Sequence, residues 1–106
     1  MSTETLTKII GLNPEADYDG ISAKPFEEII CAALLKAGAV KRQVKVANRG
    51  DGRRGYVDFV LIVAGEVVPI EVDRRTPRQK SIFKVRLINP ENAFVVTRSP
   101  FRVLKV

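Results

Sequence analysis

Between residues 23 and 37, apolar side chains recur every three or four positions. Phe26, Ile29, Ile30, Ala33, Leu34 and Ala37 fall on one stripe of a helix. The spacing predicts a helix from Ala23 to Ala37, with Ser22 as N-cap, Pro25 tolerated in the first turn and Gly38 as the stop. The pattern then changes to that of strands. Val40 to Val46 alternates weakly around Lys41, Arg42 and Lys45. Tyr56 to Val63 and Val67 to Val72 are almost continuously apolar, as expected of strands covered on both faces. Ala64-Gly65-Glu66 reads as a tight turn joining those two into a hairpin, and residues 48 to 55 form a glycine-rich, basic loop before it.

A second helix is predicted from Pro77 to Ile88, with Thr76 as N-cap and Asn89-Pro90 as its end. Ile82, Val85 and Phe83 are read as its inner face, and Arg78, Lys80, Lys84 and Arg86 as its outer one. Phe94 to Thr97 is a fourth strand and Phe101 to Val106 a short closing segment. Residues 1–20 are rich in turn formers. Leu6, Ile9, Ile10 and Leu12 could make one short helix there, or the segment could be an N-terminal arm over a dimer seam. The order αβββαβ predicts an α/β fold: a mixed four-stranded sheet flanked by helices, its strand–helix–strand unit parallel and right-handed.

The length of 106 residues suits one domain, 1–106, with one core. No stretch approaches the roughly 20 apolar residues of a membrane span, and the first residues lack a signal-peptide pattern, so a cytoplasmic protein without a membrane partner is expected. The single cysteine, Cys31, lies in the apolar helical run and reads as a small core residue. There is no histidine, which removes Ser-His and Cys-His catalysis and histidine-ligated zinc. An enzyme built from this chain would work with carboxylates, lysines and an oxygen-binding metal.

The formal charge of +6 is unevenly spread. Residues 1–39 carry three basic and six acidic side chains, whereas residues 40–106 carry fifteen and six. A basic body of this kind attracts polyanions by steering and by releasing counterions from phosphates.

Against that charge, three acids are conspicuous. Asp58 lies inside the most apolar strand, and leaving it unpaired there would cost several kcal/mol, of the order of about 3–5. Glu71 and Asp73, two residues apart, share one face of the next strand. A hairpin register centred on Gly65 sets Asp58 opposite Val72, one step from both. Three converging carboxylates repel one another, and Mg²⁺ or Mn²⁺, which takes carboxylate, carbonyl and water oxygens, would relieve the repulsion. The competing reading is that Arg74, Arg75 or Arg78 neutralises them in ion pairs.

The helix with Phe26-Glu27, followed by Tyr56-Val57-Asp58 and Pro69-Ile70-Glu71-Val72-Asp73, resembles the core of PD-(D/E)XK nucleases. The thirteen-residue step from Asp58 to Glu71 is similar to that of small members such as the Holliday-junction resolvase-like endonucleases, and the resemblance spans residues 22–98. It implies a restriction-endonuclease-like core. It also implies Asp58 and Glu71 as ligands of Mg²⁺ or Mn²⁺, the Val72 carbonyl as a further ligand, and Glu27, ahead of Glu28, contacting a water of the ion's shell. The family's lysine two residues after the glutamate is Asp73 here. Either a lysine of the following helix, Lys80 first, takes over its role, or Asp73 adds a ligand and a second metal, or the fold binds without cutting.

Basic residues flank the acids on both sides: Arg49, Arg53 and Arg54 in the loop before Asp58, and Arg74, Arg75, Arg78 and Lys84 after Asp73. Phosphate contacts of this kind give position without base identity. The expectation is a metal-dependent endonuclease acting on duplex or branched DNA as a homodimer. The alternatives are a catalytically degenerate DNA-binding or assembly module and, more distantly, an RNA-associated protein without metal.

Overall fold

A computed structural model describes residues 1–106. The chain forms α1 (Thr3–Ile10), α2 (Ala23–Leu35), β1 (Ala39–Val46), β2 (Gly55–Val63), β3 (Glu66–Asp73), α3 (Gln79–Ile88), β4 (Phe94–Arg98) and β5 (Phe101–Lys105). The fold is α/β, a mixed five-stranded sheet in the order β1-β2-β3-β4-β5 with helices on both faces. Only β3 and β4 run parallel, joined through α3; the other neighbours are antiparallel.

The larger core lies between α1, α2 and one face of the sheet. There Leu6 and Ile10 of α1 and Phe26, Ile30 and Leu34 of α2 meet Phe59, Leu61, Ile70, Phe94 and Phe101. On the other face Val85 of α3 packs with Val46, Val57, Val60 and Ala93. Residues 1–20 are therefore anchored on the core through α1 and Tyr18: α1 is capped by Ser2, whose Oγ accepts the Thr5 N–H at 3.1 Å, and Tyr18 packs its ring against Phe26 and Phe101.

Four details differ from the sequence reading. The sheet has five strands and not four, because Phe101–Lys105 pairs antiparallel with β4 through the short turn after Arg98. Phe101 and Val103 are buried while Arg102 is exposed, a period of two confined to five residues. In α2, Cys31 is buried as expected of a small core residue but Ile29 is exposed, so the inward stripe is narrower than the apolar pattern. Gly38 does not cap α2, which ends at a right-handed Lys36. Its lack of a side chain serves a close approach, since a Cβ there would run into the Ile62 carbonyl. Lastly, α3 starts at Gln79 with Arg78 as N-cap instead of Thr76. The cause is Asp73, whose Oδ2 accepts the Arg78 N–H at 2.9 Å and holds that residue extended.

Candidate functional site

The β2–β3 hairpin turns on two residues only, Ala64 and Gly65, both left-handed with φ 49 and 77. A two-residue turn of this hand matches strand twist, and it pairs Val63 with Glu66 and Phe59 with Ile70. The register is thus one residue from that centred on Gly65, and its continuation sets Asp58 against Glu71 instead of Val72. The pairing stops at Phe59–Ile70. Beyond it the strands are joined through side chains. The Val72 N–H donates to Asp58 Oδ2 at 2.8 Å and the Asp58 N–H donates to Glu71 Oε2 at 3.1 Å.

The distortion extends to the other neighbour of β2. The β1–β2 ladder pairs Arg42 with Phe59 and Val44 with Val57 but omits Gln43 and Asp58. Gln43 is left-handed at φ 49, and its Nε2 donates to Asp58 Oδ1 at 3.4 Å. Val57 packs beneath α3 while Phe59 packs with α2. Residues two apart on a regular strand share a face, so β2 is twisted at Asp58. That twist lets an acid of an apolar strand meet both Glu27 of α2 and Glu71 of β3.

Glu71 is 2% exposed. Burial, then the hydrogen bond and charge of Asp58, push its carboxyl up to about 8, against the opposing pull of Lys84. Glu27 is raised to about 7, first by burial and then by the Asp58 charge. The three acids Glu27, Asp58 and Glu71 form a chain with more negative charge than its surroundings offset. The nearby positive group is Lys84, whose Nζ lies against Glu71 Oε1 and donates to the Tyr56 carbonyl at 2.9 Å. The ammonium is the partner of this buried oxygen, which has no other.

Lys84, read from the sequence as outward-facing, is therefore the lysine at the acids. Lys80, the first choice from the sequence, instead lines a groove with Arg49 and Phe83 on the exposed side of α3. Asp73 is also placed differently from the expectation that it joins a metal set. Its carboxylate is engaged by the Arg78 N–H, by Arg78 Nε at 2.9 Å and by the buried Ser81 hydroxyl at 2.9 Å. This is the ion-pair reading of the acids, and it holds for Asp73 alone.

Among His, Cys, Asp and Glu, no three side chains converge as a ready ligand set. The pair Asp58 and Glu71 could still hold a hard cation. Their donors are all oxygen, and an ion such as Mg²⁺ commonly binds through one or two carboxylates while keeping its waters. A cleft of about 250 Å³ is lined by Glu27, Val72, Asp73, Arg74, Arg78 and Arg98 but by neither acid of the pair, so the basic side chains there border Glu27 and Asp73.

The cations named from the sequence divide into two groups. Arg49 pairs with Asp51, Arg74 with Asp19, Arg78 with Asp73 and Lys84 with Glu71, whereas Arg53, Arg54 and Arg75 make no ion pair. Glu28 is exposed and bound to Arg42, away from the acid chain. The residues that sequence reasoning missed are Ser81 and Gln43. A serine three residues before a lysine on the helix was the available signal for the first; Gln43 had none. No family model, curated protein or solved structure matches this chain.

Proposed function

We propose that this chain is a metal-dependent DNA endonuclease of the PD-(D/E)XK kind. The succession α2-β1-β2-β3-α3-β4 supports a restriction-endonuclease-like core with β5 added at the edge. The observation that carries the reading is the opening of the β2–β3 ladder at Asp58 and Glu71, with Lys84 against the glutamate.

In this reading Asp58 and Glu71 hold Mg²⁺ or Mn²⁺, and the Val72 carbonyl is available as a further oxygen. The ion supplies a water of lowered pKa and a Lewis acid for the phosphoryl oxygens. The chain's own residues do the rest. Glu27, beside Asp58, accepts a hydrogen bond from the attacking water and orients it. Lys84 presents a fixed ammonium where negative charge develops on the phosphorus oxygens, the role of the lysine that Asp73 replaces. Arg75, Arg53 and Arg54, free of ion pairs, contact flanking phosphates and give position without base identity. The attacking water gives its proton to the Glu27 carboxylate as its oxygen bonds to phosphorus, the ester P–O bond breaks, and the leaving oxygen takes a proton from solvent water.

A second reading has its own support. With Lys84 on Glu71 and Val72 N–H on Asp58, the acids are partly satisfied without a metal, as in a nuclease-like module that binds DNA and does not cut. Titration calorimetry with Mn²⁺ separates the two. Binding by the wild type that is lost in Asp58→Asn, with nicking of DNA lost in Asp58→Ala and Glu71→Ala while DNA binding persists, is the expected result. A wild type that takes up neither ion and nicks no DNA form makes the binding module the better account.

A further inference from the structure

The exposed side of α3 carries a groove that the reading above leaves unused. Arg49, Lys80, Phe83, Arg86 and Leu87 line it, and it measures about 500 Å³. Lys80, Phe83 and Arg86 follow one another at three-residue steps, so they form one ridge along the helix, with Leu87 a turn beyond Phe83. Phe83 is 40% exposed and Leu87 50%, an unusual pair of apolar side chains to leave on a basic helix. Lys80 and Arg86 make no ion pair, and the groove's one acid, Asp51, is already bound by Arg49. The wall opposite α3 is the loop 48–55, where Asn48 Oδ1 accepts the Gly50 and Gly52 N–H groups at 2.8 and 3.1 Å. Gly50, with φ 103, passes so close to Phe83 that a Cβ would lie 3.4 Å from its Cγ.

An apolar ring flanked by two unpaired cations is the combination that holds a nucleic-acid single strand, with bases stacking on the aromatic face and phosphates on the cations. A duplex keeps its bases inside, so an exposed ring gains little from it. The acidic side chains of a peptide would satisfy Lys80 and Arg86 but bring no aromatic plane to stack on Phe83. The groove is also tied to the acids, because the loop that walls it leads into β2 and the helix that floors it carries Lys84. We infer that this groove binds a single strand of DNA with a base on Phe83 and phosphates on Lys80 and Arg86. The inference rests on the nucleic-acid reading of the site, and makes its substrate one with unpaired bases beside the cutting point.

The chain has no tryptophan, so Phe83→Trp introduces a single reporter at the proposed stacking position. In EDTA and low salt, an oligothymidylate of about ten nucleotides should quench its fluorescence, and a duplex of equal length should not. Phe83→Ala should weaken oligothymidylate binding about ten-fold and leave duplex binding nearly unchanged. Lys80→Ala and Arg86→Ala should each lower the salt dependence of single-strand binding by about 0.7 in the log–log slope. Unquenched indole, or equal losses for both DNA forms in Phe83→Ala with an unchanged Tm, overturns the groove. Tighter binding of an oligoglutamate peptide than of oligothymidylate overturns its occupant. No metal is present in these measurements, and they are repeated in Asp58→Asn. A groove that fails while the wild type still cuts leaves the nuclease standing, and stacking without cutting does the reverse.

Discussion

Lys84 and Glu71 are paired across the interface of α3 and the sheet, an ammonium on a side chain 14% exposed against a carboxylate 2% exposed. Next to them Ser81 donates to Asp73. The two pairs fit one another geometrically. Residues three apart on a helix are displaced by about 4.5 Å along its axis, and residues two apart on a strand by about 6.6 Å. The helix pair Ser81 and Lys84 thus lies over the strand pair Asp73 and Glu71, and α3 is docked by polar contacts where its apolar content is poor.

If Lys84 stabilises the developing phosphoryl charge, its removal costs more than that of any other lysine. Lys84→Ala should reduce single-turnover cleavage by about 10²- to 10³-fold, the usual loss for one such donor. Lys80→Ala should chiefly weaken DNA binding. Equal effects of the two on the cleavage step would deny Lys84 its role.

Asp73 is engaged by Arg78 and Ser81 of the α3 start, and on the proposed function it acts through that helix and not as a metal ligand. Asp73→Asn and Ser81→Ala should each lower stability by about 1–3 kcal/mol, read by denaturant melts. Both should depress cleavage while leaving Mn²⁺ affinity in calorimetry unchanged. A large loss of Mn²⁺ binding in Asp73→Asn would return this residue to the ligand set.

The acid chain makes stability depend on pH without metal. Burial, with the Asp58 charge beside them, pushes the Glu71 and Glu27 carboxyls up to about 8 and about 7, from the 4.5 of an ordinary glutamate. Between those values the native state holds protons that the unfolded state has released, so the contribution of these two groups is fully present below about 4.5 and is lost as the pH rises towards 8. No histidine titrates in that interval. In EDTA, Tm should fall from pH 5 to pH 8, and the fall should shrink in Glu71→Gln. A flat profile in the wild type would contradict the raised carboxyls.

The N-terminal helix is part of the core. Leu6 is fully buried among α2 and sheet residues. Leu6→Ala should cost about 2–5 kcal/mol in urea unfolding. A change below about 0.5 kcal/mol, typical of surface substitutions, would fit a detachable arm instead.

Much of the architecture could be read from local pattern. The hairpin, the parallel β3–β4 pair, α2 and the adjacency of Asp58 to Glu71 follow from apolar period, turn residues and strand order. The errors cluster where polar side chains are buried. Ser81 and Lys84 lie on the inner side of α3 and Phe83 on the outer, the opposite of what hydrophobicity suggests. A buried serine or lysine whose partner lies on another element resembles a surface residue when the helix is read alone. Likewise Thr76 and Pro77 look like a helix start, but the N-cap of α3 is Arg78, whose N–H is held by Asp73 of the preceding strand.

Sequence alone determined α2, the hairpin, the body of α3, the parallel strand after it and which acids sit among apolar residues, because period, turn geometry and the cost of an unpaired charge act within a few residues; it did not determine α1 or β5. Tertiary structure decided the rest: how far the ladder runs before it opens, which lysine reaches Glu71, and that Asp73 serves the helix. Those outcomes depend on distances between elements remote along the chain. A one-residue change in hairpin register alters every cross-strand partner, and only the packed helix selects which of its cations lies inward.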